Sequence, residues 1–434
     1  MRLKQFKYFL FFIVIGPISF GQNHQDSTSW TFYFGSSRTD KANAVTYAKP
    51  WQQATYGFDF QTDTCVVMEK KNMFANSPVY FSKVLPAGTY LVEVKLGSKN
   101  RSTINTVKAE SKRLMINQLK LNKDEYTTVR FLVELQNKYI NSTEEVQLKD
   151  RDKIALNWDD KLSLEFSKNT AVRHLSITRV NSVPTLFLAG DSTVADQDLS
   201  PWASWGQFIT QYVNDSLVVA NYANSGASLA SFKGRKRWAK ILSLLKKGDY
   251  VMIEFGHNDQ KRSGKGIGPW LSFTALLKEF VESARAKGGV PILVTPVQRR
   301  VFNADQTLKS THGAYPDATR QVAKTLNVPL IDLTKMTTTL YEAWGDETSK
   351  AAFVHYPENT FIGQKSALED NTHFNDFGAN EIALCVMKEV EDIGVGLEKY
   401  LKQTPHYNVD KPNHIHEWTL PMSPRFEAKK PDGN

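Results

Sequence analysis

The chain has 434 residues, 41% hydrophobic and 23% charged, and a net charge of +9. That is ordinary globular usage; it excludes a disordered chain, a collagen-like fibre and a many-span membrane protein. Two cysteines, Cys65 and Cys385, exclude a disulfide scaffold and a four-cysteine zinc site. In chain order, Arg2, Lys4 and Lys7 precede the apolar run Tyr8 to Ile18, which is too short to span a bilayer. With small residues at Ser19 and Gly21, residues 1–21 read as a signal peptide cut before Gln22. The expected destination is secreted or periplasmic, with no membrane anchor. Removing those three cations leaves +6 of the +9, which is no nucleic-acid signature.

Residues 22–181 carry short runs rich in β-branched and aromatic residues: Trp30 to Phe34, Val79 to Val84, Tyr90 to Val94, Thr128 to Val133 and Leu162 to Phe166. Several alternate with period two, which predicts an antiparallel β-sandwich. The texture changes at 181–184. Residues 182–402 then alternate strand and helix, with strand runs at Leu186 to Leu188, Leu217 to Ala220, Val251 to Phe255, Ile292 to Val294 and Val328 to Ile331. Helical periodicity falls at Phe273 to Ala286, Ala318 to Leu326 and Gly378 to Ile393. Such alternation predicts a parallel sheet covered by helices on both faces. Residues 403–434, with five prolines, read as an irregular tail. Lys233 to Arg237 and Lys240 are expected on a solvated helix face, and Trp30, Trp51 and Tyr56 in the core.

The chemistry sits at predicted strand ends, where open α/β sheets place their sites. Gly190-Asp191-Ser192 puts a hydroxyl after the first strand, near a helix start whose N–H groups favour developing negative charge. An N-cap is the bland reading of the same residues. The residue two places after Ser192 is Val194, not the glycine of the α/β-hydrolase elbow. Asp370 and His373 are three residues apart, so the carboxylate can orient the imidazole and leave its other nitrogen as a base. Asn258 follows the third strand and Gly226 the second. With the Ser192 N–H they make three possible oxyanion donors. His414-Ile415-His416 is a weak metal pattern, and no metal is expected.

Taken together, Gly190-Asp191-Ser192, Gly226, Gly256-His257-Asn258-Asp259 and Asp370 to His373 resemble the four blocks of the SGNH (GDSL) hydrolase superfamily. Trp202 to Gln207, Thr311 to Pro316 and Asp370 to Ala379 are similar to carbohydrate esterase family 12, the rhamnogalacturonan acetylesterases. The resemblance covers about 185–395 and implies a flavodoxin-like three-layer fold. It implies Ser192 as nucleophile, His373 as base and Asp370 as its orienter, with Ser192, Gly226 and Asn258 forming the oxyanion hole. His257 would be a pocket-wall residue. The segments 30–35, 55–60 and 158–166 resemble the β-sandwich, galactose-binding-like, that precedes many bacterial members. The tail after Thr404 has no counterpart in the pattern.

Lys261, Arg262, Arg299 and Arg300 follow strand ends and are candidates for holding a uronate carboxylate. The expected activity is a cofactor-free secreted serine esterase that deacetylates plant cell-wall polysaccharide, rhamnogalacturonan foremost. Another acetylated glycan such as xylan, an acyl-ester lipase, or a glycan-binding protein with an inert hydrolase domain are the alternatives.

Overall fold

The computed structural model describes residues 28–51, 55–402 and 406–432. The signal peptide expected at 1–21 and its cut before Gln22 lie outside the described residues. No helix among the described residues is long and apolar enough to cross a membrane.

Two sheets occupy the N-terminal part. One runs in the order 127–135, 88–96, 171–180, 29–34, 44–45, with 66–68 and 73–75 attached beside 171–180; the other runs 56–59, 79–84, 161–166, 103–109, 113–121. All pairings are antiparallel except that of 29–34 with 44–45. Period-two burial drives the packing. In Gly88–Leu96 the side chains of Tyr90, Val92, Val94 and Leu96 are buried and their neighbours are not. These inward residues share one core with Phe58, Phe81, Val107 and Leu164 of the facing sheet. Trp30 and Tyr56 pack at its edge, half-buried, with Lys83 over the Trp30 ring and Lys49 over Tyr56.

The C-terminal sheet is parallel throughout, in the order 218–221, 185–190, 250–254, 290–294, 330–331. This is the 2-1-3-4-5 order of flavodoxin-like folds, whose switch point lies beside the first strand. Alternate residues serve opposite layers. Leu186, Leu188, Met252, Ile292 and Val294 pack with helices Leu333–Trp344 and Asp376–Asp392. Phe187, Ala189, Val251, Ile253 and Leu293 pack with Arg237–Leu244, Thr274–Ala286 and Tyr315–Leu326. The last expected strand shortens to Leu330–Ile331. A separate two-stranded antiparallel sheet pairs Phe353–Tyr356 with Leu368–Phe374.

The basic stretch at 233–240 is only in part a solvated face: Lys233 is exposed, but Arg237 and Lys240 are not. Arg237 is 1% and Lys240 4% exposed. Arg237 donates to the Tyr222 and Ala223 carbonyls and to Asp152, and lies over the Trp158 ring; Lys240 donates to Asn137 and to the Tyr139 carbonyl. These cations bind the end of the N-terminal part to the α/β part. The turn Glu110–Arg113 does the same from the other side. Arg113 pairs with Asp196 at 2.7 Å, Ser111 donates to Asp198, and Gln207 donates to the Ser111 carbonyl.

The tail is irregular but anchored. Phe426 bridges to Ser200, its ring stacks on Phe361, and Arg425 pairs with Asp198.

Candidate active site

The strand Thr185–Gly190 delivers Asp191 and Ser192 into a tight turn, not a helix; the next helix starts only at Trp205. The expected helix dipole behind Ser192 is therefore absent. The Asp191 carboxylate instead organises the turn by accepting from the Thr193 N–H and hydroxyl. Gly190 is needed for contact rather than for φ: a Cβ there would sit 2.5 Å from a Val194 methyl. Gln197 donates to the Ser192 carbonyl at 2.7 Å and fixes the turn from outside.

Ser192, Asp370 and His373 meet. The Ser192 hydroxyl is 2.9 Å from His373 Nε2, and His373 Nδ1 is 2.9 Å from Asp370 Oδ2. Asp370 and His373 lie on a strand rather than on one turn of helix. Phe353 pairs with Phe374 but Val354 pairs with Asp370, so residues 371–373 bulge out of the ladder. Asp370 Oδ1 accepts from the Thr372 and His373 N–H groups and holds the bulge. Burial pushes the Asp370 carboxyl up, but the His373 ring and these N–H donors outweigh it and hold it down at about 2. A carboxylate that stays ionised, and donates nothing, fixes the imidazole with Nδ1–H toward it and Nε2 free to accept from Ser192.

Gly226 takes a left-handed φ of +75°, and no acceptor among the described residues receives its N–H or that of Ser192. The Asn258 amide donates to the Ala227 carbonyl at 3.1 Å and keeps a second N–H. Lys261 reaches Asn258 Oδ1 at 3.4 Å.

Behind the turn lies a buried polar layer that sequence reasoning missed. Glu254 accepts from the Trp205 indole at 2.7 Å, and the Thr193 hydroxyl lies between Glu254 (3.0 Å) and Asp191 (2.9 Å). One hydroxyl has one proton for two carboxylates. Burial and the Asp191 charge push the Glu254 carboxyl up to about 8, which favours a shared proton over two adjacent charges. A lone acid inside the apolar run Val251 to Phe255 was the available signal. His257 is 2% exposed and contacts Asp191 at 3.3 Å and the His312 ring at 4.4 Å, so it belongs to this layer and does not line the cleft.

A cleft of about 500 Å³ opens beside the triad, lined by Trp202, Gln260, Lys261, Arg299, Glu369, Asp370, Ala428 and Lys430 among others. Trp202 stands edge-on to His373, with ring centres 5.8 Å apart. Of the four basic candidates, Lys261 and Arg299 reach this cleft. Arg299 is already engaged there, with His312 and the His257 carbonyl each at 3.3 Å. Arg300 is 5% exposed and pairs with Asp346 at 2.9 Å; its N–H holds the Asn371 carbonyl, so it supports the bulge instead of a substrate. Arg262 is not among the lining residues.

A parallel sheet in this order, with a buried Ser–His–Asp chain at its first strand's end, defines an α/β ester hydrolase. Residues 188–379 match the model of the GDSL-like lipase/acylhydrolase family. The chain is 43% identical over 218 residues to rhamnogalacturonan acetylesterase RhgT of Bacillus subtilis, covering 50% of this chain and 93% of that one. It is 31% identical over 225 residues to the probable rhamnogalacturonan acetylesterase YesY of the same organism, covering 50% and 98%. Among solved structures, that of Bacillus subtilis YxiM aligns with 85% of this chain and 99% of its own, at 22% identity and a TM-score of 0.46. The chain belongs to the GDSL-like lipase/acylhydrolase family, and it is an esterase.

Proposed function

We propose that the protein deacetylates plant cell-wall rhamnogalacturonan through an acetyl-Ser192 intermediate. The observation that carries the reading is the unbroken chain Ser192–His373–Asp370, with both contacts at 2.9 Å, in a protein 43% identical to a rhamnogalacturonan acetylesterase. Ser192 Oγ attacks the acetyl carbonyl while His373 Nε2 takes the hydroxyl proton. The negative charge that develops on the carbonyl oxygen is met by the N–H groups of Ser192 and Gly226 and by the Asn258 amide. Collapse breaks the ester bond, His373 returns the proton to the leaving sugar oxygen, and the acetyl group stays on Ser192. Water then attacks, His373 takes its proton, and acetate leaves as Ser192 regains its hydrogen. No step needs a cofactor.

In this reading residues 22–181 are an accessory, galactose-binding-like β-domain, 182–402 the catalytic domain and 403–434 a tail, exported behind a signal peptide at 1–21. Acetate release from a panel of acetylated polysaccharides tests the substrate. Faster release from xylan than from rhamnogalacturonan would move the reading to the neighbouring activity. Ser192→Ala is expected to lower kcat at least about 10³-fold with its melting curve unchanged. A folded variant that keeps more activity than that removes Ser192 as nucleophile.

A further inference from the structure

The segment after Leu420 does more than trail from the fold. Its last described residues are fixed from three sides. Arg151 pairs with Glu427 and donates to the Lys429 and Lys430 carbonyls, each at 3.0 Å. Lys149 binds Asp432 at 3.0 Å, and the Trp202 indole donates to the Glu427 carbonyl at 2.9 Å. Held this way, Ala428 and Lys430 form a wall of the cleft that Lys261 and Asp370 line from the catalytic domain. Three cations, Lys261, Arg299 and Lys430, thus share one concave space with Glu369 and Asp370, and Arg299 is the one already engaged there. Lys430 has no ion pair among the described residues, and Lys261 reaches only the neutral Asn258. Burial, Arg299 and the Lys430 charge press the Lys261 ammonium downward against the pull of Asp191 and Asp370, neither of which forms an ion pair with it. Glu369, which also lines the cleft, sits with Asp370 at its hairpin side.

We propose that the tail completes a carboxylate subsite, in which Lys430 and Lys261 together hold the carboxylate of a uronate in the acetylated polymer. The contact of Lys261 with Asn258 sets this subsite beside the oxyanion donors, so gripping the uronate places the ester over Ser192. The proposal rests on the reading of the substrate as an acetylated pectic polymer, and it names the tail as a specificity element.

The test is competitive inhibition of 4-nitrophenyl acetate hydrolysis by the full chain. One probe is a de-acetylated rhamnogalacturonan oligosaccharide; the other is the same oligosaccharide with its uronates reduced to neutral sugars. The acidic probe is expected to bind at least about tenfold tighter than the reduced one. Lys430→Glu is expected to weaken the acidic probe about tenfold and to leave the reduced probe's inhibition constant within about twofold. Lys429→Glu makes the same charge change one residue away, on a side chain outside the cleft, and is expected to shift neither by more than about twofold. Equal inhibition by the two probes, no inhibition by either, or equal effects of the two substitutions would overturn the subsite. Failure to release acetate from acetylated rhamnogalacturonan would instead overturn the substrate reading, and the inhibition ratios would still decide the carboxylate site.

Discussion

Asn258 makes the sharpest test among single residues. Its amide spends one N–H on the Ala227 carbonyl and has one left for an oxyanion. Asn258→Ala is expected to lower kcat about 10²–10³-fold with KM within a few-fold, because the ground-state carbonyl is the weaker acceptor. Asn258→Asp should be worse, since a carboxylate repels the oxyanion; steady-state kinetics with a small acetyl ester and a melt of each variant decide it. The next residue carries a pH prediction. Asp259 is 4% exposed; one oxygen accepts the Leu229 N–H and the other has no hydrogen-bond partner among the described residues. Burial pushes its carboxyl from the ordinary 3.8 up to about 7. A raised carboxyl gives stability that is complete below the unfolded value and is lost as pH rises through the folded one. The wild type should therefore lose stability between about pH 4 and 7. Asp259→Asn keeps the acceptor for Leu229 without the charge; it should flatten that slope and melt a few degrees higher at pH 8. Parallel slopes for the two proteins in melts against pH would refute this.

At the scale of elements, the turn Glu110–Arg113 reaches the active site indirectly. Lys112, buried, donates to the Trp202 carbonyl at 2.7 Å, and the Trp202 ring packs edge-on against His373. Lys112→Met keeps the stem but leaves that carbonyl unpaired, at a cost of about 1–3 kcal/mol. A loosened Trp202 should lower kcat about three- to tenfold while KM stays put; loss of stability with kcat unchanged would make Lys112 structural only. The strands and the catalytic blocks were legible in the sequence because their signals are local: period-two runs for 88–96, and Ser192, Asn258 and Asp370–His373 at strand ends. Lys112 and Arg237 were not. A buried cation reads like a solvated one until its partners are known, and those of Arg237 lie at Asp152 and Trp158, about 80 residues away. The tail hid for a related reason. Side chains and one isolated bridge hold it, so no periodicity marks it.

The whole molecule should unfold as one unit. Leu114 of the N-terminal part lies in the same core as Phe208 and Ile209 of the catalytic part, and Arg113–Asp196 is a fully buried pair across the junction. Removing one partner of such a pair costs about 3–5 kcal/mol, because the other charge stays buried without compensation. Separation of the two parts would impose that cost along with the exposure of Arg237. Calorimetry of the full chain should show a single transition, and Arg113→Met should lower it while keeping it single. Two resolved peaks would mean that the parts are independent.

The Glu110–Arg113 turn also bears on how the chain is made. The N-terminal part is made first, and Lys112 and Arg113 then lack the partners that the catalytic part supplies. At ~5–20 residues per second, His373 follows on the order of tens of seconds later. When the catalytic half arrives, its Trp202 carbonyl and Asp196 carboxylate complete the surroundings of those two cations. Joining of the two parts therefore also sets the wall behind the general base, because the Lys112 that holds Trp202 against His373 comes from the part made first.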